Sequence, residues 1–302
     1  MKNSAAISLL LLGTGSIGWA ARCTTVLDPR TLPEYNRYIE NAEQSMAARF
    51  ARGELSWLAE SARKEAALRL QAGEAVRTNI SDSSVNQRLA DWNGTIVHWI
   101  GAIRIRDTRL EEFQERLQDY SRYSTVYQPL IFESHATPVE ATAGKSYDVT
   151  FGLQNTYRGA GLFPLHYSFE VKFRTDHTEA GGEGARVVVV HSRSAQIRES
   201  DSGTPGRKDF LDLYHDHGVM WALNTYWRAR QAGPDLYVEF ETVTLARSVK
   251  KFTCRIGFFP VPKALISDVM DVLPSESLEL MLTSTKSEFE RRASQRPSKA
   301  SR

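Results

Sequence analysis

The spacing of apolar residues changes once along this chain, near residue 95, and the change divides it. Before that point the pattern is helical. Leu32, Tyr35, Ile39, Ala42, Met46 and Phe50 recur at intervals of three and four, which predicts an amphipathic helix over 31–52, with Gly53 as its stop. A charged, alanine-rich stretch runs on to Gly73. A short strand is predicted over 74–80 and a polar loop over 81–93.

From Thr95 the period is two. TIVHWIGAIRI, residues 95–105, is rich in β-branched and aromatic side chains and predicts a strand. Asp107 or Thr108 caps a helix whose stripe is Leu110, Phe113, Leu117 and Tyr120. An aromatic loop, YSRYSTVYQP, ends at Pro129. Residues 146–153 alternate as a strand. The clearest alternation follows, with Phe163, Leu165, Tyr167, Phe169, Val171 and Phe173 on one face. A turn over 176–185 leads to a strand over 186–199, and a Gly/Pro/Ser-rich loop over 200–209 leads to strands over 219–230 and 236–247. Two helices close the chain, one over 263–272 and one opened by Pro274, where Leu278, Met281, Leu282, Thr285 and Phe289 share a face. This order predicts an α+β fold, an antiparallel sheet with helices on one face.

The strand faces carry the functional question. The faces of Phe163, Tyr167 and Phe169, and of Val219, Trp221, Leu223 and Trp227, suit a packed core or the lining of an apolar tunnel. Polar residues interrupt two others: His191 and Arg193 within 186–199, and Glu239 and Glu241 beside Tyr237, Val243, Leu245 and Arg247. Buried charge is costly unless paired. Arg193 or Arg247 against Glu239 or Glu241 meets that requirement, either as ion pairs between strands or as polar groups orienting a mostly apolar ligand.

No catalytic motif stands out. There is no GxSxG elbow, no P-loop, and no GxGxxG between a strand and a helix. His215, Asp216 and His217 resemble metal ligands only by adjacency and read as a polar loop. Glu239 and Glu241 lie roughly 7 Å apart along one strand face, a spacing that suits acid/base work and is also commonplace. No metal or cofactor is implied.

Composition narrows the class. The 302 residues are 41% hydrophobic, 25% charged and 10% aromatic, a globular profile. The net charge of +2 argues against nucleic acid as a partner. Two cysteines exclude a disulfide scaffold and a four-cysteine zinc site. MKNSAAISLLLLGTGSIGWA, residues 1–20, reads as an export signal: Lys2, an apolar run from Ala5 to Leu12, and small residues at Gly18 and Ala20. The expected location is periplasmic or extracellular, with no later run long enough to span a bilayer. Outside the cytoplasm Cys23 and Cys254 either pair or stand as unrelated thiols. The end, RRASQRPSKASR (291–302), reads as a solvated, disordered basic tail with at most weak attraction to an anionic membrane surface. Without that tail and Lys2, the net charge of the body is −4.

The stretch from Thr95 through YSRYSTVYQPLIFESH, with GVMWALNTYWRA, DLYVEFETVTLAR and LPSESLELMLTSTK, resembles the START-like helix-grip (SRPBCC-type) superfamily over residues 92–286. It is most similar to exported bacterial members, many of them acidobacterial. The resemblance implies a curved antiparallel sheet wrapped on a long C-terminal helix. It also implies a cavity beneath that helix for a sterol-, lipid- or polyketide-like molecule. By position it marks Trp99, Tyr120, Tyr127, Trp221, Asn224, Tyr226, Glu239, Glu241 and Arg247. It carries no catalytic set. RSVKKFTCRIG lacks the family's proline, and Thr285-Lys286 replaces a final Thr-Arg, so the cavity entrance is the property that transfers least.

The expected organisation is therefore a signal over 1–20, an N-terminal helical extension over 21–90, a START-like domain over 91–290 and the tail. The expected ligand site is Trp99, Tyr127, Phe163, Tyr167, Phe169, His191, Arg193, Trp221, Asn224, Trp227, Glu239 and Glu241, lining a cavity of several hundred Å³. Two other readings stay open. One is a cyclase- or hydrolase-like enzyme using His191, Arg193, Glu239 and Tyr226. The other is an interaction protein with a filled core, docking through the helix over 31–52.

Overall fold

A computed structural model describes residues 24–157, 165–181, 186–251, 255–256, 259–260 and 263–295. Residues 1–20, which the sequence predicts as an export signal, Phe163, Cys23, Cys254 and residues 296–302 lie outside them.

The helices are α1 (Thr31–Ala51), α2 (Glu60–Gln71), α3 (Ser83–Ala90), α4 (Leu110–Leu117), α5 (Tyr123–Val126) and α6 (Lys263–Gln295). The strands of the main sheet are β1 (Val76–Asn79), β2 (Gly94–Ile105), β3 (Ile131–Val139), β4 (Lys145–Tyr157), β5 (Leu165–Ala180), β6 (Val187–Glu199), β7 (Ala222–Ala232) and β8 (Asp235–Arg247). All eight pair antiparallel in the order β1-β2-β8-β7-β6-β5-β4-β3. The meander from β3 to β8 thus returns its last strand to the side of β2. The architecture is a helix-grip α+β fold: a curved antiparallel sheet closed on one side by α6.

Helices cover both faces, where the sequence predicts one. β8 shows why: every residue from Leu236 to Arg247 is buried. Its inner side chains, Leu236, Val238 and Phe240, join the cluster beneath α6 with Leu278, Leu282 and Phe289. Its outer side chains, Val243 and Leu245, meet the α1 stripe of Tyr35, Ile39, Ala42 and Met46, while Tyr237 meets Phe50 and Leu70 of α1 and α2. The N-terminal extension is therefore the outer layer of the same core, because the α1 stripe and the outer face of β8 each supply the apolar surface the other needs.

Other local expectations change. The loop over 81–93 contains α3, whose N-terminus is capped by the Asp82 carboxylate accepting from the Ser84 and Val85 amides. The aromatic loop folds into a single 3-10 turn, Tyr120–Arg122, followed by α5. The turn over 176–185 is shorter than composition suggests, because β5 stays paired with β6 as far as Ala180 opposite Val187. The two C-terminal helices are one helix, with Pro274 inside it. Proline withholds one N–H and normally breaks a helix, yet Leu273 and Leu278 on either side are buried against the sheet. The helix also runs to Gln295, so the segment read as a tail from 291 begins as helix, with Arg291 and Arg292 both donating to Glu288.

One glycine sets how close α6 lies. A Cβ on Gly101 of β2 would sit 2.7 Å from methyl carbons of both Leu278 and Leu282. The missing side chain lets the helix rest directly on the strand.

Candidate functional site

Between α6 and the inner face of β4 to β8 lies a cavity of about 180 Å³. β4 and β5 supply Phe151, Tyr167, Phe169 and Phe173. β7 and β8 supply Trp227 and Phe240, whose rings stack with centroids 4.1 Å apart. α6 contributes Leu273, Leu278 and Met281 as a roof. Tyr120 and Tyr123 close one side. Among the described residues no charged side chain reaches the wall. The volume is below the several hundred Å³ expected, because α6 sits tightly on Gly101 and the aromatic rings fill much of the concavity.

Hydrogen bonds hold roof to wall. Asn155 Nδ2 donates to Ser277 Oγ at 3.1 Å. Thr285 Oγ1 gives its proton to the Met281 carbonyl at 2.7 Å. Tyr127 must therefore be the donor in its 3.0 Å contact with Thr285 Oγ1. The Tyr120 hydroxyl lies 2.6 Å from His177 Nε2. Burial pushes His177 down to about 4, so at neutral pH its ring is uncharged.

The residues singled out in the sequence separate into two sets. Tyr167, Phe169 and Trp227 line the cavity. Trp99 packs on the same inner core without reaching the cavity wall, and Tyr127 sits by a smaller hollow behind α6. His191, Arg193, Trp221, Asn224, Glu239 and Glu241 do not line it. They lie on the outer face or at its margin, where α1 and the α1–α2 connection cover the sheet. Alternation groups most of these side chains as the structure does, but the polar faces of β6 and β8 point to the N-terminal extension, and the bulge of β6 opposite Lys172 and Phe173 turns Ile197 to the inner core. For Trp221 the alternation itself ends, because β7 begins one residue later.

Each of these polar groups is engaged there. Glu241, fully buried, accepts from Arg49 Nη2 at 2.7 Å, His98 Nε2 at 2.6 Å and Arg228 Nη1 at 3.3 Å. Burial pushes its carboxyl up. The His98 hydrogen bond, then the charges of His98, Arg49 and Arg228, outweigh that and hold it below the usual carboxylate value. Glu239 accepts from the Tyr237 hydroxyl at 2.6 Å and Trp57 Nε1 at 2.9 Å. Asn224 donates to the Tyr35 hydroxyl at 2.9 Å and lies 3.1 Å from His191 Nε2. Glu43 of α1 receives Tyr226 and stands 3.5 Å from His191 and 3.9 Å from Arg193. Trp221 Nε1 donates to Asp216 Oδ1 at 2.8 Å. His217 Nδ1 lies 3.0 Å from Glu199. Among the described residues no cluster of potential metal ligands forms.

Alternation could have revealed the residues missed. Val190 and Ser192, and Phe240, Thr242 and Thr244, occupy the opposite parity of β6 and β8, while Thr225 shares the β7 face of Leu223 and Trp227, and all line the cavity.

No protein-family model matches the chain, and no curated protein does. Solved structures do. An aromatase/cyclase from Streptomyces sp. R1128 is 13% identical with a TM-score of 0.42, covering 66% of this chain and 96% of its own. A STAR-related lipid transfer protein from Xanthomonas axonopodis is 11% identical with a TM-score of 0.37, covering 71% and 98%. A START superfamily protein from Mycobacterium smegmatis is 11% identical with a TM-score of 0.37, covering 65% and 98%. Likeness at this level carries nothing about substrate or site. No described helix is long and apolar enough to cross a membrane.

Proposed function

We propose that this protein is an exported binding protein that holds a compact hydrophobic molecule, or the apolar part of a lipid, between the sheet and α6. One observation carries the reading: an uncharged cavity of about 180 Å³ walled by aromatic and aliphatic side chains. A space of this size, below the roughly 300–1,000 Å³ of drug-sized sites, suits a single fused ring system or a short chain. Export rests on the N-terminal sequence alone. The residues that suggested catalysis, His191, Arg193, Glu239 and Tyr226, are paired on the other face and offer the cavity no acid or base. The α1 stripe that suggested a docking helix is buried against the protein's own sheet.

The test is mass spectrometry of organic extracts of the full chain, purified beside Leu223→Trp, which fills the cavity from its β7 wall. A stoichiometric apolar compound in the first sample and not the second is expected. An empty extract, with no later uptake of small fluorescent apolar probes, would overturn the reading.

A further inference from the structure

The cavity has a polar line across its floor. Strand register places Ser192 of β6 opposite Thr225 of β7, and Thr225 opposite Thr242 of β8. All three line the cavity. Cross-strand partners project to the same face, so the three hydroxyls form a row perpendicular to the strands. The row continues outward at both ends. Thr175 of β5 stands opposite Ser192, and its Oγ1 donates to Ser192 Oγ at 2.9 Å. Trp99 of β2 stands opposite Thr242.

Two members of this row are unsatisfied. Thr242 is 91% buried (9% exposed), and its Oγ1 has no hydrogen-bond partner. Trp99 Nε1 is buried without one as well. Among the described residues Thr225 makes no side-chain hydrogen bond, and Ser192 has its proton still to give after accepting from Thr175. Buried polar groups in folded proteins are nearly always paired, and an orphan calls for an explanation. A purely hydrocarbon ligand would leave Thr242 as it is. A charged one would find no countercharge on the wall.

We infer that the ligand is a neutral amphiphile, an apolar ring system or chain bearing one alcohol, phenol or carbonyl group, and that Thr242, with Thr225 and Ser192, receives that group. This rests on the cavity being a binding site. The hydroxyl row sets which end of the ligand points to the sheet. It also selects against carboxylates and phosphates of the same size.

Isothermal titration calorimetry of the full chain with three matched probes tests this: 2-naphthol, 2-methylnaphthalene and 2-naphthoate. Net hydrogen bonds predict that the wild type prefers naphthol over methylnaphthalene by roughly two- to tenfold, with naphthoate weakest. Thr242→Val, which keeps the side-chain shape, loses that preference, binds methylnaphthalene at least as well and melts no lower than wild type. Thr225→Val reduces the preference to a lesser degree. If the wild type binds naphthol and methylnaphthalene equally, or naphthoate best, the inference fails while the binding function stands. The same holds if both valine variants keep the full preference. If neither neutral probe binds, both fail together.

Discussion

Glu241→Gln separates the structural role of the outer-face network from any role in ligand binding. The change keeps the shape and removes one negative charge from a fully buried site holding Arg49, Arg228 and His98. The guanidiniums then face a neutral amide whose own N–H groups oppose theirs. Removing one partner of a buried ion pair costs about 3–5 kcal/mol. At roughly 2–4 °C per kcal/mol for a large domain, the melting temperature falls by about 10 °C. The sign with pH follows from the carboxyl being held below its ordinary value of 4.5. Its contribution is complete above that value and is lost as pH falls through the folded one, so the gap between wild type and variant closes in acid. Thermal melts followed by circular dichroism at pH 7 and pH 3 measure both effects. Uptake of 2-naphthol by the folded variant at low temperature stays unchanged, since Glu241 is on the face opposite the cavity. An unchanged melting temperature together with lost uptake would refute the assignment and restore Glu241 to the ligand site.

Leu278→Ala removes a fully buried roof residue that touches both the cavity and the space over Gly101. It costs about 2–5 kcal/mol and enlarges the cavity, so saturating 2-methylnaphthalene raises the variant's melting temperature more than the wild type's. Equal shifts would argue that the roof does not bound the binding space. Asp216 is pushed up to about 7 by burial and then by the charge of Glu199. Because the folded state keeps this proton where the unfolded state has lost it, the group's contribution falls as pH rises from about 4 to about 7. Asp216→Asn removes that slope and gains on wild type by up to roughly 4 kcal/mol at pH 8, within the same relation. Stability curves that stay parallel from pH 4 to pH 8 would contradict it.

Periodicity alone supplied most of the elements. The α1 stripe, the strand starting near Thr95 and the long alternation through Phe173 can be read residue by residue, because an amphipathic element must repeat its apolar positions at its own period. α3 does not stand out because eight residues hold too few apolar positions to establish a period, although Asp82 at its cap is a visible signal. The sequence places a helix start at Pro274 because proline's local cost is legible there, while the packing that offsets it is not.

The sequence also determined which residues share a face. Tyr237, Glu239, Glu241, Val243, Leu245 and Arg247 belong together in either account, since strand parity is a local property. Only the tertiary structure decided what each face meets. A strand buried on both sides carries no mark saying which of its faces looks into a cavity. Here the polar face, the better candidate for binding by chemistry alone, is matched by Arg49, Glu43, Tyr35 and Trp57 from residues 35–57, more than a hundred positions away in the chain. The plainer parity, with Ser192, Thr225 and Thr242, was left to line the cavity because α6 folds back over that side of the sheet.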